Sequence, residues 1–233
     1  MTADSALIAD LRAGLAVAGD PDRVAGAQAY LKSTMPMRGV RMDDLRRVTR
    51  GALAERPLRD RASWQDTVLE LWDGARFREE RYAALEVAGH RSARAWQDPD
   101  VLPLYRHLVV SGAWWDLVDG VATHLVGGVL RTYPDEVAPI MRAWAVDDDL
   151  WVRRTAVLSQ VGAGDTVDLD LLTDCLEPNL ERSEFWLRKA CGWALRVVAP
   201  RDPQWVRGFV AAHRDRMSGL TLREATRRLP PDA

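Results

Sequence analysis

The sequence is poor in lysine, cysteine and histidine. Of its 32 basic residues only Lys32 and Lys189 are lysine, and the 233-residue chain has 2 Cys and 4 His. Cys175 and Cys191 cannot form a disulfide framework and neither belongs to a CxxC pair, which favours a reducing, cytoplasmic location. The histidines stand alone, with no HExxH motif and no His/Cys pair at ligand spacing. We therefore expect no metal site.

Several other signatures are missing as well. No stretch of about 18 apolar residues runs without a charge, so we expect no membrane span. There is no GxxxxGK[ST] motif, no strand followed by GxGxxG and no serine nucleophile elbow. These absences disfavour nucleotide-dependent enzymes and serine hydrolases, and we expect no organic cofactor.

The composition and the apolar spacing indicate an all-α protein. Ala, Leu, Arg and Val dominate, and apolar residues recur at helical spacing rather than alternating. Proline-containing breakers such as Asp20-Pro21, Asp98-Pro99 and Asp202-Pro203 separate the periodic stretches. Together they predict helices over residues 4–18, 22–34, 43–55, 64–73, 78–92, 99–111, 115–130, 134–146, 150–162, 168–177, 184–198, 203–213 and 219–228.

Successive helical pairs without strands are typical of an α-solenoid. A helix pair cannot bury its apolar face alone, so such pairs stack into a superhelix with a concave surface. We therefore predict an α-solenoid with one concave surface. An ordinary helical bundle is the structural alternative.

Tryptophan is unusually frequent, with 10 Trp against 3 Phe and 4 Tyr. In a helix, Trp115 shares a face with Asp119 at spacing i, i+4, and Trp151 shares one with Arg154 at i, i+3. A third face carries an i, i+3, i+7, i+10 pattern, made of Trp186, Lys189, Trp193 and Arg196. Three faces that combine an indole with a charge favour a binding site.

A tryptophan at helical spacing is nevertheless most often a core residue, whose charged neighbour reaches past it to water. We expect this simpler role for Trp114, Trp144, Trp186 and Trp205.

Local charge indicates a polyanionic ligand. From Arg182 to Ala233 there are eleven basic and five acidic residues, a local charge of +6 in a chain whose net charge is −2. Affinity for a polyanion depends on the local face rather than on the total charge. A solvated helix face is the alternative explanation of this charge.

Five stretches together resemble the DNA alkylation repair glycosylases built of HEAT-like repeats. They are AYLKSTMPMRGV at 29–40, WWDLVD at 114–119, WVRRTAVL at 151–158, KACGWALR at 189–196 and SGLTLREATRRL at 218–229. The resemblance extends from about residue 24 to the C-terminus. It implies an α-solenoid that binds duplex DNA in a basic concave groove and excises N3- and N7-alkylated purines. With this resemblance we predict a single domain of HEAT-like repeats over residues 1–233, acting as a monomer.

The resemblance also implies roles for individual residues. It places the catalytic carboxylate at Asp119, two sugar-facing indoles at Trp115 and Trp193, and a phosphate-binding arginine at Arg154. It places an N-terminal DNA-contacting aromatic residue at Tyr30. We also assign the neighbouring cations Lys189 and Arg153 to DNA binding.

The expected function is therefore that of a monofunctional DNA glycosylase, a hydrolase of base excision repair. It would cleave the N-glycosidic bond of cationic alkylpurines in double-stranded DNA, and the resemblance implies that it does so without full base flipping. A non-catalytic HEAT-like scaffold that binds DNA or a protein is the alternative. A hydrolase with a histidine-based site is a third hypothesis, which the scattered histidines disfavour.

Overall fold

The structure, a computed structural model, describes residues 3–230. Within that range the backbone forms fourteen α-helices with short 3₁₀ and π segments, and no strand. The predicted all-α class is confirmed. No helix in the described stretch combines the length and the apolar character needed to cross a membrane.

The helices group into two units, one ending at Gln97 and the other beginning at Asp98. That residues 1–233 form a single repeat domain therefore stays a prediction. The N-terminal unit contains five α-helices followed by a 3₁₀ segment over Arg91–Trp96. Its α-helices are α1 (Ser5–Val17), α2 (Pro21–Leu31), α3 (Met42–Glu55), α4 (Arg61–Asp73) and α5 (Arg78–Ala88).

The loop between α2 and α3 is held by a buried carboxylate. Glu79 of α5 accepts hydrogen bonds from the backbone N–H groups of Arg38, Gly39 and Val40. Gly39 has φ +75°, and a Cβ at this position would lie 2.1 Å from the carbonyl oxygen of Asp20. Only glycine fits this conformation and this close approach.

The C-terminal unit contains the other nine α-helices. A 3₁₀ turn over Pro99–Val101 leads into the first of them, and a π-helical segment over Val121–Val126 joins the second to the third. The helices are α6 (Leu102–Gly112), α7 (Trp115–Gly120), α8 (Gly127–Thr132), α9 (Pro134–Trp144), α10 (Leu150–Leu158), α11 (Leu169–Leu176), α12 (Phe185–Val198), α13 (Pro203–His213) and α14 (Gly219–Thr226).

Short polar side chains and prolines explain where several helices begin. Asp20 and Asp202 accept N-cap hydrogen bonds while Pro21 and Pro203 occupy the first helical turn, the position at which proline costs no hydrogen bond. The prediction for α4 began at residue 64, whereas the helix begins at Arg61 because Asp60 caps it through the Ser63 N–H. The predicted 150–162 helix ends at Leu158, ahead of Gly162 with its φ of +97°.

The core of the C-terminal unit depends on a close approach of α12 to α14. Gly192 is buried in α12, and a Cβ there would lie 2.5 Å from the Cβ of Glu224 and 2.9 Å from the carbonyl oxygen of Thr221. Because one of these atoms is backbone, a side chain cannot be accommodated by a rotamer change alone. The glycine therefore sets the distance between the two helices.

We predict that Gly192→Ala lowers the free energy of unfolding by about 1–3 kcal/mol, the usual cost of overpacking. The matched control is Gly208→Ala in α13, where an added Cβ meets nothing within 4 Å. That control should raise stability by about 0.5–1 kcal/mol through helix propensity. Urea unfolding of both variants measures the difference, and a stabilising Gly192→Ala would contradict the packing argument.

Candidate functional site

Asp119 and Arg154 form a bidentate ion pair in the C-terminal unit. The Arg154 Nε donates to Asp119 Oδ1 at 2.7 Å, and Nη2 donates to Oδ2 at 2.8 Å. The Arg154 side chain is 2% exposed and that of Asp119 is 17% exposed. The Arg154 Nη1 donates a third hydrogen bond to the backbone carbonyl of Trp186. The pair thus links α7, α10 and α12.

Local backbone features hold both partners. Asp149 caps α10 by accepting from the N–H groups of Trp151 and Val152, which fixes the start of the helix that carries Arg154. The π-helical segment that follows α7 begins at Val121, two positions after Asp119, and the Thr123 hydroxyl donates to the Asp119 carbonyl at 2.7 Å. Such π segments occur frequently at functional sites.

The ionisation of Asp119 reflects opposing effects. Burial, the largest effect, raises the pKa of its carboxyl above the usual value, and the hydrogen bonds and charge of Arg154 oppose that rise. The neighbouring charge of Asp116 raises the pKa of Asp119 further, whereas that of Lys189 lowers it. Arg154 is therefore the principal group that favours a carboxylate at this buried position.

An aromatic cluster lies beside the ion pair, and Trp186 is at its centre. The Trp186 ring stacks on that of Trp115, with centroids 6.0 Å apart and planes 21° apart. Its centroid is 5.8 Å from that of Trp114, 6.3 Å from that of Trp151 and 4.9 Å from that of Phe185. Phe185 is 53% exposed, so the cluster extends to the protein surface.

The structure brings together Trp115, Asp119 and Arg154, and it places Lys189 near them. The Lys189 ammonium lies 6.0 Å from the centroid of the Phe185 ring. Trp193 is half-buried, two helical turns beyond Trp186 on α12, and packs against the core of this unit.

Tyr30 and Arg153 are placed differently from these residues. Tyr30 is 74% exposed and belongs to the N-terminal unit. The Arg153 guanidinium donates to the carbonyls of Ala145, Val146 and Asp147, and to the side-chain oxygen of Asn179. It thus holds the loop between α9 and α10, and its role in DNA binding stays a prediction.

Trp186 is the site residue that the sequence analysis assigned to the core. Of the four tryptophans expected there, Trp144 is buried, whereas Trp114, Trp186 and Trp205 are half-buried. The signal for Trp186 was its place on one helix face with Lys189 and Trp193. Its contact with Arg154 depends on the packing of α10 against α12, which no spacing within one helix reveals.

The chemistry of the site is that of a carboxylate beside indole faces. A carboxylate at an aromatic surface attracts a cation by charge, and the indoles add a cation–π contribution. Among the described residues, no group of three or more His, Cys, Asp or Glu side chains is arranged to hold a metal ion.

Comparison with known proteins shows similarity both to a sequence family and to a solved structure. Residues 11–229 match the sequence model of a family described as DNA alkylation repair enzyme. Among solved structures, a predicted DNA alkylation repair enzyme from Enterococcus faecalis is similar, with a TM-score of 0.83 and 22% sequence identity over 92% of this chain and 98% of that one. At that identity the likeness concerns the fold. A search of curated proteins found no match.

We predict that Arg154→Leu destabilises the protein in a pH-dependent way. Without its partner the buried Asp119 carboxylate is uncompensated, which at neutral pH costs about 3 kcal/mol of unfolding free energy. Because the pKa of Asp119 is higher in the folded than in the unfolded state, the variant should regain stability as pH falls through the folded pKa towards the unfolded one.

Urea unfolding at several pH values measures this effect, with the double variant Asp119→Asn/Arg154→Leu as the matched control. The double variant has no carboxyl at position 119 and should lack the additional pH dependence. If the unfolding free energies of the single and double variants changed equally with pH, Arg154 would not be the group that compensates the charge of Asp119.

Proposed function

The chain belongs to the DNA alkylation repair enzyme family, and from that membership we propose that it is a monofunctional DNA glycosylase for cationic N3- and N7-alkylpurines in double-stranded DNA. The single observation that supports this activity best is the Asp119 carboxylate, paired with Arg154 and bordered by the indole of Trp115, which stacks on Trp186. This arrangement suits a reaction in which positive charge develops on a sugar.

The proposed reaction needs little help at the base. Alkylation at N7 or N3 gives the purine a positive charge, so the C1′–N bond breaks with both electrons leaving on a base that becomes neutral. Positive charge then develops on the deoxyribose, and a carboxylate stabilises such an oxocarbenium-like state. Water adds its oxygen to C1′ and releases a proton, which gives an abasic site and a free alkylpurine.

We assign separate roles to the residues around the reacting sugar. Asp119 provides the negative charge and orients the attacking water, and Trp115 offers a π face to the cation, a contact of about 2 kcal/mol when desolvated. Trp193 is the second indole that we propose to face the sugar. Following the family resemblance, we propose that the lesion stays largely stacked rather than flipped out of the duplex.

We propose for Arg154 a principal role other than the phosphate contact that the family resemblance implies. Three of its five N–H donors bind Asp119 and the Trp186 carbonyl, and its side chain is almost fully buried. We therefore assign to Arg154 the task of keeping Asp119 ionised. We assign phosphate binding to Lys189 and to the arginines of the basic stretch that begins at Arg182, and we retain Tyr30 as a proposed DNA contact.

We predict that the protein releases 7-methylguanine from duplex DNA and that Asp119→Asn slows this release by about 10²–10³-fold, as the loss of one preorganised group typically does. The measurement is single-turnover excision, scored by free base and by heat-labile abasic sites. The control is Asp165→Asn, a carboxylate whose side chain is 92% exposed, which should keep the wild-type rate.

The outcomes of this assay separate the proposed enzyme from the alternative scaffold. Binding of the lesion duplex by the wild-type protein without any base release would favour a non-catalytic module. Equal rates for wild type and Asp119→Asn, with both proteins folded and bound, would remove Asp119 from the mechanism.

We further predict the sign of the pH dependence. Excision requires ionised Asp119, and burial raises the pKa of that carboxyl. The rate should therefore fall as pH is lowered, with a midpoint above that of an ordinary aspartate. Single-turnover rates measured on DNA from neutral to acidic pH test this, and a midpoint at or below the usual aspartate pKa would contradict it.

A further inference from the structure

Trp186 connects the two parts of the candidate site. Its ring contacts the other four members of the aromatic cluster, among them Trp115, which the proposed mechanism places against the sugar. Its backbone carbonyl accepts a hydrogen bond from Arg154 Nη1. The Arg154 guanidinium carbon also lies 5.8 Å from the centroid of the Trp186 ring. One residue thus contacts both the indole and the cation of the site.

These contacts constrain the guanidinium from two sides. Asp119 holds Nε and Nη2, while Trp186 binds Nη1 with its carbonyl and covers the cation with its ring. A planar guanidinium makes a bidentate bond to a carboxylate in a narrow range of orientations. The Trp186 ring lies within the range at which an aromatic face attracts a cation.

We infer that Trp186 is a positioning residue, which holds Arg154 in its bidentate geometry with Asp119 and holds the Trp115 ring by stacking. The effect of Trp186 on the excision rate rests on the proposed glycosylase function, whereas the effect of Trp186 on the geometry of Arg154 does not. Small displacements of reacting groups cost up to about 10²-fold in rate. Loss of the Trp186 ring should therefore slow excision although we assign to this ring no contact with the reacting sugar.

The first experiment observes Arg154 directly in the DNA-free protein. The NMR signal of its Nε–H, assigned by its loss in Arg154→Lys, should show slow exchange with solvent because this hydrogen lies in a buried bond to Asp119. In Trp186→Leu the exchange should become about tenfold faster, the change expected from losing one partly desolvated cation–π contact. Trp186→Phe keeps an aromatic face and should restore most of the protection.

The matched control is Trp205→Leu. Trp205 is another half-buried tryptophan of the same unit, stacked on Phe209 with centroids 5.4 Å apart. Its replacement should lower stability without changing the exchange of the Arg154 Nε–H. Equal exchange rates in wild type, Trp186→Phe and Trp186→Leu would overturn the inference. So would an equal acceleration in Trp205→Leu and Trp186→Leu.

The second experiment measures excision in two backgrounds. In the wild-type protein, Trp186→Leu should reduce the single-turnover rate by about 10- to 100-fold. In Asp119→Asn the reduction should be clearly smaller, because Arg154 then has no carboxylate at position 119 to pair with. Equal fold losses in the two backgrounds would show that Trp186 acts independently of the ion pair. If the wild-type protein releases no base, the proposed function fails, and the NMR measurement still decides the role of Trp186.

Discussion

The organisation of the C-terminal unit around its candidate site depends on one buried ion pair. Removing a carboxylate and a guanidinium from water carries a desolvation cost that their mutual attraction offsets only with good geometry and further hydrogen bonds. Here both oxygens of Asp119 are bonded, and the third bond of Arg154 goes to a main-chain carbonyl of α12. Helices α7, α10 and α12 are consequently fixed relative to one another, and the aromatic rings they carry meet beside the pair.

The helices were predictable because their signals are local. Aspartate caps followed by proline mark helix starts, and apolar spacing marks helix interiors. The errors were also local in origin, as at α4, whose start was missed because the Asp60 cap stands before a turn with little apolar periodicity. Aspartate is also common in turns, so Asp60 can be identified as a helix cap only once the residues that follow it are known to be helical.

The sequence indicates which residues of one helix share a face, but it does not show which helices pair in the candidate site. Asp119 and Trp115 lie on one helix, so their shared face follows from spacing alone. Asp119 and Arg154 are 35 positions apart on different helices, so their contact depends on interhelical packing. The same limit explains Trp186, for which a general preference for burial outweighed a contact that only the packed structure shows. The family resemblance supplied roles for Asp119, Trp115 and Arg154 that stay predictions, and the structure adds that the Arg154 side chain is buried.

A carboxylate that is paired with an arginine can still stabilise a developing cation, because the cation lies closer to the carboxylate than to the guanidinium. At an effective dielectric constant near 20, a cation about 4 Å from the carboxylate gains about 4 kcal/mol, while repulsion from a guanidinium about 8 Å away costs about 2 kcal/mol. The net attraction of the pair is therefore about 2 kcal/mol, to which an indole face adds about 2 kcal/mol. Asp119→Asn removes only the carboxylate's share of about 4 kcal/mol, and a 10²–10³-fold rate effect requires about 3–4 kcal/mol. Burial raises the pKa of the Asp119 carboxyl, and Arg154 opposes that rise through its hydrogen bonds and its charge. The pairing therefore reduces the electrostatic field of Asp119 and at the same time favours the ionised form that produces this field.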